Sequence, residues 1–242
     1  MKQEIKDKLN RIIEVYTICG IFVIIMIIYT VITSNTSKNI TERYDNQVKS
    51  LKLDIVDKEK SIDNLMDKLS AIDEKQHQNI KSYIMEINRR IPESIANDMA
   101  TAFIKIGKDN NMNPLTLVFI ADAESDFRID ADSGQASGSM QVNLSVWYDK
   151  LVEEGIIKQK RDIYNVYNGI DAGRYVYQHY KDICDEYKSE NRLRGLGFHS
   201  VEECASRKYF GITIKNGKPT KSSIEYYKKF EQAIVNYFIY VN

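Results

Sequence analysis

The sequence predicts a mainly α-helical protein: a single transmembrane helix, a helical coiled-coil stalk, and a helical globular domain with a short β-hairpin. Three observations lead there. The residues between Glu14 and Lys38 carry no charge. A heptad pattern of apolar residues follows in a stretch without Gly or Pro. Beyond Pro92, apolar residues recur at helical spacing in a length typical of one domain. The expected organisation is a cytoplasmic tail at 1–14, an anchor at 15–37, a stalk at 38–91 and a self-contained domain at 92–242.

The anchor rests on length and flanks. Ile18, Ile21, Phe22, Val23, Ile24, Ile25, Met26, Ile27, Ile28, Val31 and Ile32 form an apolar run with no polar face. About 20 such residues cross a bilayer. Tyr16 and Tyr29 sit near its ends, and Thr33-Ser34-Asn35 is a poor cleavage site for a signal peptide. Basic residues flank both ends, Lys2 to Arg11 before and Lys38 to Lys52 after, so charge alone does not orient it.

In the stalk, Val48, Leu51, Ile55, Ile62, Leu65, Leu69 and Ile72 fall on a and d positions, with Lys58 at one d site. The seam stops near Gln76 and resumes loosely at Ile80, Tyr83, Ile84 and Ile87. One amphipathic helix lying on a globular partner gives such a pattern, and so does a parallel coiled coil making a homodimer. Dense flanking charge of both signs favours the coiled coil. At 1.5 Å per residue it would extend on the order of 80 Å.

Within the domain, helices are expected at 93–108, 114–124, 141–154, 168–188 and 222–240. Asn113 caps the second and Pro114 suits its first position. Ile212-Thr213-Ile214 before Asn216-Gly217 is the hairpin signal.

Several classes are excluded. Three Pro and 11 Gly rule out collagen-like or wholly disordered chains. A formal net charge of +0 lacks the basic surplus of a nucleic-acid binder. Cys19, Cys184 and Cys204 are too far apart for a zinc ribbon, and His77, His179 and His199 show no ligand spacing, so no metal or cofactor is implied. Cys184 and Cys204 are either a pair, if the domain is exported, or free thiols.

The chemistry-bearing stretch starts at Glu124. An apolar helix ends in this carboxylate, the chain turns through a loop of Asp, Ser and Gly at 130–139, and Met140-Gln141 follows. Partial burial at the end of an apolar helix raises a carboxyl pKa, as a general acid requires. Read alone, a solvated helix end is the commoner explanation of such a carboxylate. The order Glu124-Ser125-x-Phe127, Ala131, Ser133, Gly138-x-Met140-Gln141 resembles the catalytic signature of the soluble lytic transglycosylases. Ile170-x-Ala172-Gly173, Tyr209-x-Gly211 and the terminal helix from Ser223 to Tyr237 extend the resemblance over about 94–242. The loop between Ser133 and Gly138 is one residue shorter than the common form. Gln135, Ser139 and Phe210 stand where Gly, Leu and Asn are usual.

The resemblance implies a lysozyme-like, mainly helical fold that cleaves peptidoglycan glycan strands. Glu124 would serve as acid and then base, without the second carboxylate of ordinary glycosidases. Ser125 would orient Glu124 or touch substrate, or simply bond its own backbone. Met140 would wall the cleft, Gln141 would bind a sugar N-acetyl group, and Tyr209 would offer an aromatic face and a hydroxyl. Trp147 is either core or a sugar platform. The implied enzyme sits in the cell membrane with its domain outside the cytoplasm. It opens the wall locally, for instance for an envelope-spanning machine. A hydrolytic muramidase and a non-catalytic, glycan-binding tether are the alternatives.

Overall fold

A computed structural model of the chain describes residues 17–23, 25–26, 38–211, 214–215 and 218–241. The chain is mainly helical and divides into two compact units, Met1–Ser70 and Ala71–Asn242. The tail at 1–14 and most of the expected anchor at 15–37 lie outside the described residues, while 17–23 and 25–26 are helical. No helix among the described residues is long and apolar enough to cross a membrane.

Helix α1 spans Lys38–Ile87 without a break, as a stretch free of Gly and Pro allows. In the first unit its heptad positions stay open: Leu51, Ile55 and Leu65 are among the exposed large apolar residues.

The second unit starts at Ala71 and not at Pro92, which corrects the expected domain boundary. The last turns of α1 belong to the globular core, where Ile80, Tyr83 and Ile84 are fully buried. The loose resumption of the seam beyond Gln76 is thus a helix packing face within the domain, where three- and four-residue spacing buries one side. Polar contacts fasten the same turns to helix α2, Glu93–Asp109. Asp73 pairs with Lys108 at 2.5 Å, Lys81 pairs with Glu93 at 2.5 Å, and His77 meets Thr101 at 3.1 Å.

The remaining helices are α3 (Pro114–Ser125), α4 (Leu144–Glu153), α5 (Val166–Ser189), α6 (Val201–Tyr209) and α7 (Lys221–Val241). A short 3-10 helix occupies Lys160–Tyr164. Helix α3 is the buried centre, with Leu117, Val118, Phe119, Ile120 and Ala121 all inside. It packs against α2 and α7, while α5 packs against α2 and α6. The aromatic rings of Phe230 and Tyr237 on α7 meet Phe119 edge-on. Between α6 and α7, β1 (Ile214–Lys215) and β2 (Lys218–Pro219) form the expected antiparallel hairpin, with Ile214 opposite Pro219. Helix α6 was not expected: Val201, Cys204, Ala205 and Tyr209 fall at helical spacing, but the segment is only nine residues long and dense in charge of both signs. The helix expected from 141 begins only at Leu144, after Gln141 adopts a left-handed backbone with φ 47°.

Cys184 and Cys204 are disulfide-bonded and buried, joining α5 to α6. Beside them Arg207 is buried in an ion pair with Glu203 at 2.7 Å, and its guanidinium also donates to Ser223 at the start of α7. Trp147 is buried against Tyr175, His179 and Tyr180, so it is core.

Gly173 gives α5 its close approach to the loop after α3. A Cβ there would lie 2.5–2.7 Å from three side-chain atoms of Met140, which is itself fully buried. Gly173→Ala is therefore expected to lower stability by about 1–3 kcal/mol through overpacking. A urea melt of the variant checks this, and unchanged stability would show that Met140 has room to move.

Candidate active site

Helix α3 places Glu124. It starts from Asn113, whose side chain accepts from Leu115 N, with Pro114 in the first turn. It stops one residue after Glu124, because Asp126 and Phe127 turn left-handed at φ 52° and 62°. Phe127 is driven into the core beside Tyr83 and Phe103, which outweighs the cost of that backbone for a bulky residue. The helix end and the following loop are thereby held together.

Internal bonds tie the loop to the helix. The Ser125 hydroxyl lies 2.7 Å from the Ser139 carbonyl and 3.2 Å from that of Ala121. The Gln141 amide nitrogen donates to the carbonyls of Ala131 at 3.1 Å and Gly138 at 3.0 Å. Ser137 bridges to Asp132 and to Val142. Gly138 is required at its position: φ is 79°, and a Cβ would sit 2.6 Å from the Ile163 carbonyl. Tyr209, at the end of α6, donates to the Met140 carbonyl at 2.6 Å.

These bonds revise the expected substrate contacts. Ser125 and Met140 are buried, with the Ser125 hydroxyl facing backbone carbonyls. The Gln141 amide N–H groups and the Tyr209 hydroxyl are likewise spent on carbonyls of the loop. The physical reason is general: a buried irregular loop must satisfy its backbone acceptors, and nearby side-chain donors do so. Because Ser125 bonds the backbone of Ser139, the side chain at 139 does not enter that bond.

Glu124 itself is half-buried. Burial pushes its carboxyl up to about 7, against smaller opposing effects of Tyr226 and Lys229. No carboxylate is among the groups acting on it. Asp122, two residues earlier, points elsewhere and accepts a hydrogen bond from Tyr83. Burial raises the Asp122 carboxyl, Tyr83 lowers it and Asp126 raises it.

The surroundings of Glu124 come from α6 and α7. Burial, and then the charge of Glu124, hold the hydroxyls of Tyr209 and Tyr226 well above the ordinary tyrosine range, so both stay protonated. The Tyr226 hydroxyl is buried and lacks a well-formed hydrogen bond. Its effect on Glu124 is that of a close dipole short of full bonding geometry. Phe210 stacks on the Tyr226 ring, with centroids 4.5 Å apart. Tyr226 and Lys229 were missed from sequence. The spacing of Ser223, Tyr226, Phe230, Ala233 and Tyr237 marks a buried face, but not what that face meets.

A cavity of about 750 Å³ lies along the same loop, lined among others by Asp132, Gln135, Lys160, Arg161 and Tyr164. Glu124 does not line it. Among the described residues no group of His, Cys, Asp and Glu is arranged to hold a metal ion. Chemically, the site offers one carboxyl that is substantially protonated near neutral pH, beside two protonated tyrosines, of which Tyr209 already donates to the Met140 carbonyl. Comparison with protein-family models, curated proteins and solved structures finds no match to the chain.

Proposed function

We propose that the protein is a peptidoglycan lytic transglycosylase with Glu124 as its acid and base. The carrying observation is a lone carboxyl raised to about 7 at the end of a buried helix. The Glu124–Gln141 sequence pattern, with its resemblance to the soluble lytic transglycosylases, supplies the substrate. Glu124 donates its proton to the glycosidic oxygen between N-acetylmuramic acid and N-acetylglucosamine, and the C1–O bond breaks. The muramoyl 6-hydroxyl oxygen then attacks C1 while the Glu124 carboxylate takes its proton. A 1,6-anhydro ring forms, Glu124 is protonated again, and no water is consumed. A single carboxyl fits this scheme, whereas a retaining glycosidase places a second one within about 5–5.5 Å.

The same reading places the protein in the cell membrane, anchored by the uncharged stretch at 15–37 with the Glu124 domain outside. The Cys184–Cys204 disulfide supports this, since disulfides persist in oxidising compartments. The open heptad positions Leu51, Ile55 and Leu65 support a homodimer through the stalk. Local wall opening for an envelope-spanning machine is the role this arrangement serves.

Mass spectrometry of wall digested by the full chain tests the chemistry. Anhydromuramoyl ends are the expected product. Reducing ends would make the protein a hydrolytic muramidase, and no product would make it a tether.

A further inference from the structure

Phe210 presents an aromatic ring to solvent. It follows Tyr209 at the end of α6 and is 44 % exposed, although its side chain has no polar atom. The ring lies nearly parallel on that of Tyr226, with 17° between the planes and centroids 4.5 Å apart. Tyr226 is itself buried, at 4 % exposure, so the open surface of the pair belongs to the side of Phe210 turned away from it. The backbone beneath is closed off: Phe210 N–H donates to the Ser206 carbonyl at 3.3 Å, and Gly211 N–H to that of Lys208 at 3.0 Å. An aromatic face ordered in this way loses little further freedom when a ligand covers it.

The neighbours of Phe210 set that face beside the reacting carboxyl. The Tyr226 ring under it carries the hydroxyl that acts on Glu124, so one aromatic layer lies between Phe210 and the surroundings of the acid. Tyr209, the ring expected to face a sugar, is half-buried and bonded to the Met140 carbonyl. The next residue offers the open face instead. A phenyl ring has no hydrogen bond to donate and recognises by shape and apolar contact. In a β-linked N-acetylhexosamine the ring substituents are equatorial, and the axial C–H groups leave both faces of the pyranose apolar. Such a face laid on a phenyl ring removes apolar surface of both partners from water.

We infer that Phe210 is a substrate-binding residue, whose open ring face stacks on a pyranose of the glycan strand beside Glu124. The chain thus has an apolar sugar platform where the family it resembles usually has Asn. The inference rests on the proposed wall-cleaving function and adds a sugar contact to that site.

The test titrates the hexamer of β-1,4-linked N-acetylglucosamine into the full-length Glu124→Gln chain in detergent, so that no glycan is cut. Adding Phe210→Leu keeps apolar bulk over Tyr226 and removes the flat face. Affinity should then fall about three- to tenfold, the contribution of one aromatic stack. Phe210→Tyr and Phe210→Trp, added in the same way, keep the face and should bind about as tightly as the parent. Melting curves confirm that the variants compared are folded. Undiminished binding by Phe210→Leu, an equal loss in all three variants, or no binding of the hexamer by the parent overturns the inference. The catalytic reading fails separately, by the absence of glycan products from wall digested by the wild-type chain, and that result leaves the sugar contact standing.

Discussion

Glu124→Gln is expected to lower glycan cleavage by about 10²–10⁴-fold, the usual contribution of a positioned general acid. The glutamine amide keeps the shape of the side chain and has no proton to give. In the wild type, cleavage should fall as pH rises through about 7, where Glu124 loses the proton it must donate. A carboxyl whose folded pKa is raised above its unfolded value binds protons more tightly when folded. Wild-type stability therefore declines as pH rises from about 4.5 to 7, the span between the ordinary and the raised value. Glu124→Gln removes that decline and should be more stable than wild type above pH 7, by up to about 3 kcal/mol, with little difference near pH 4. Turnover of insoluble wall and melting curves at two pH values check both halves. Activity near wild type would remove Glu124 from the mechanism. A variant less stable than wild type at high pH would contradict the half-buried, raised carboxyl.

A fragment starting at Pro92 is expected not to fold cooperatively, whereas one starting at Ala71 should. Ile80, Tyr83 and Ile84 are fully buried among α2, α3 and α7. Each large side chain contributes about 1.5–3 kcal/mol by leaving water. Tyr83 does more than fill space. Its hydroxyl donates to Asp122 and reaches the Ala233 carbonyl at 3.2 Å, and its ring meets Phe127 and Tyr237 edge-on. Without it Asp122 loses the Tyr83 donor, and the rings of Phe127 and Tyr237 lose their edge-on partner. These losses together approach the whole stability of an ordinary domain, about 5–15 kcal/mol. Thermal melts of the two fragments by circular dichroism decide it. A sharp melt from the Pro92 fragment, within a few degrees of the longer one, would show that the last turns of α1 are not part of the core.

Much of this was legible in the residues. Helical periodicity, the Asn113-Pro114 start and the Asn216-Gly217 turn are local signals, and each element they marked is present. Glu124 stood out through the residue order that runs from it to Gln141, whereas its desolvation did not, because a carboxylate at the end of an apolar run is as readily solvated. The long uncharged stretch and the Gly- and Pro-free heptads are likewise properties of neighbouring residues.

What the tertiary structure decided was which faces meet. Ile80, Tyr83 and Ile84 read equally well as the end of a seam or as a packing face, and only the presence of α2 and α7 beside them makes the second true. Ser125, Gln141 and Tyr209 carry donors fit for a sugar, yet the folded loop brings unsatisfied carbonyls within 2.6–3.2 Å, and those carbonyls take them. Tyr226 and Lys229 reach Glu124 from more than a hundred residues away. Periodicity says that a residue is buried. The partner it is buried against is set by long-range packing, which no local pattern encodes.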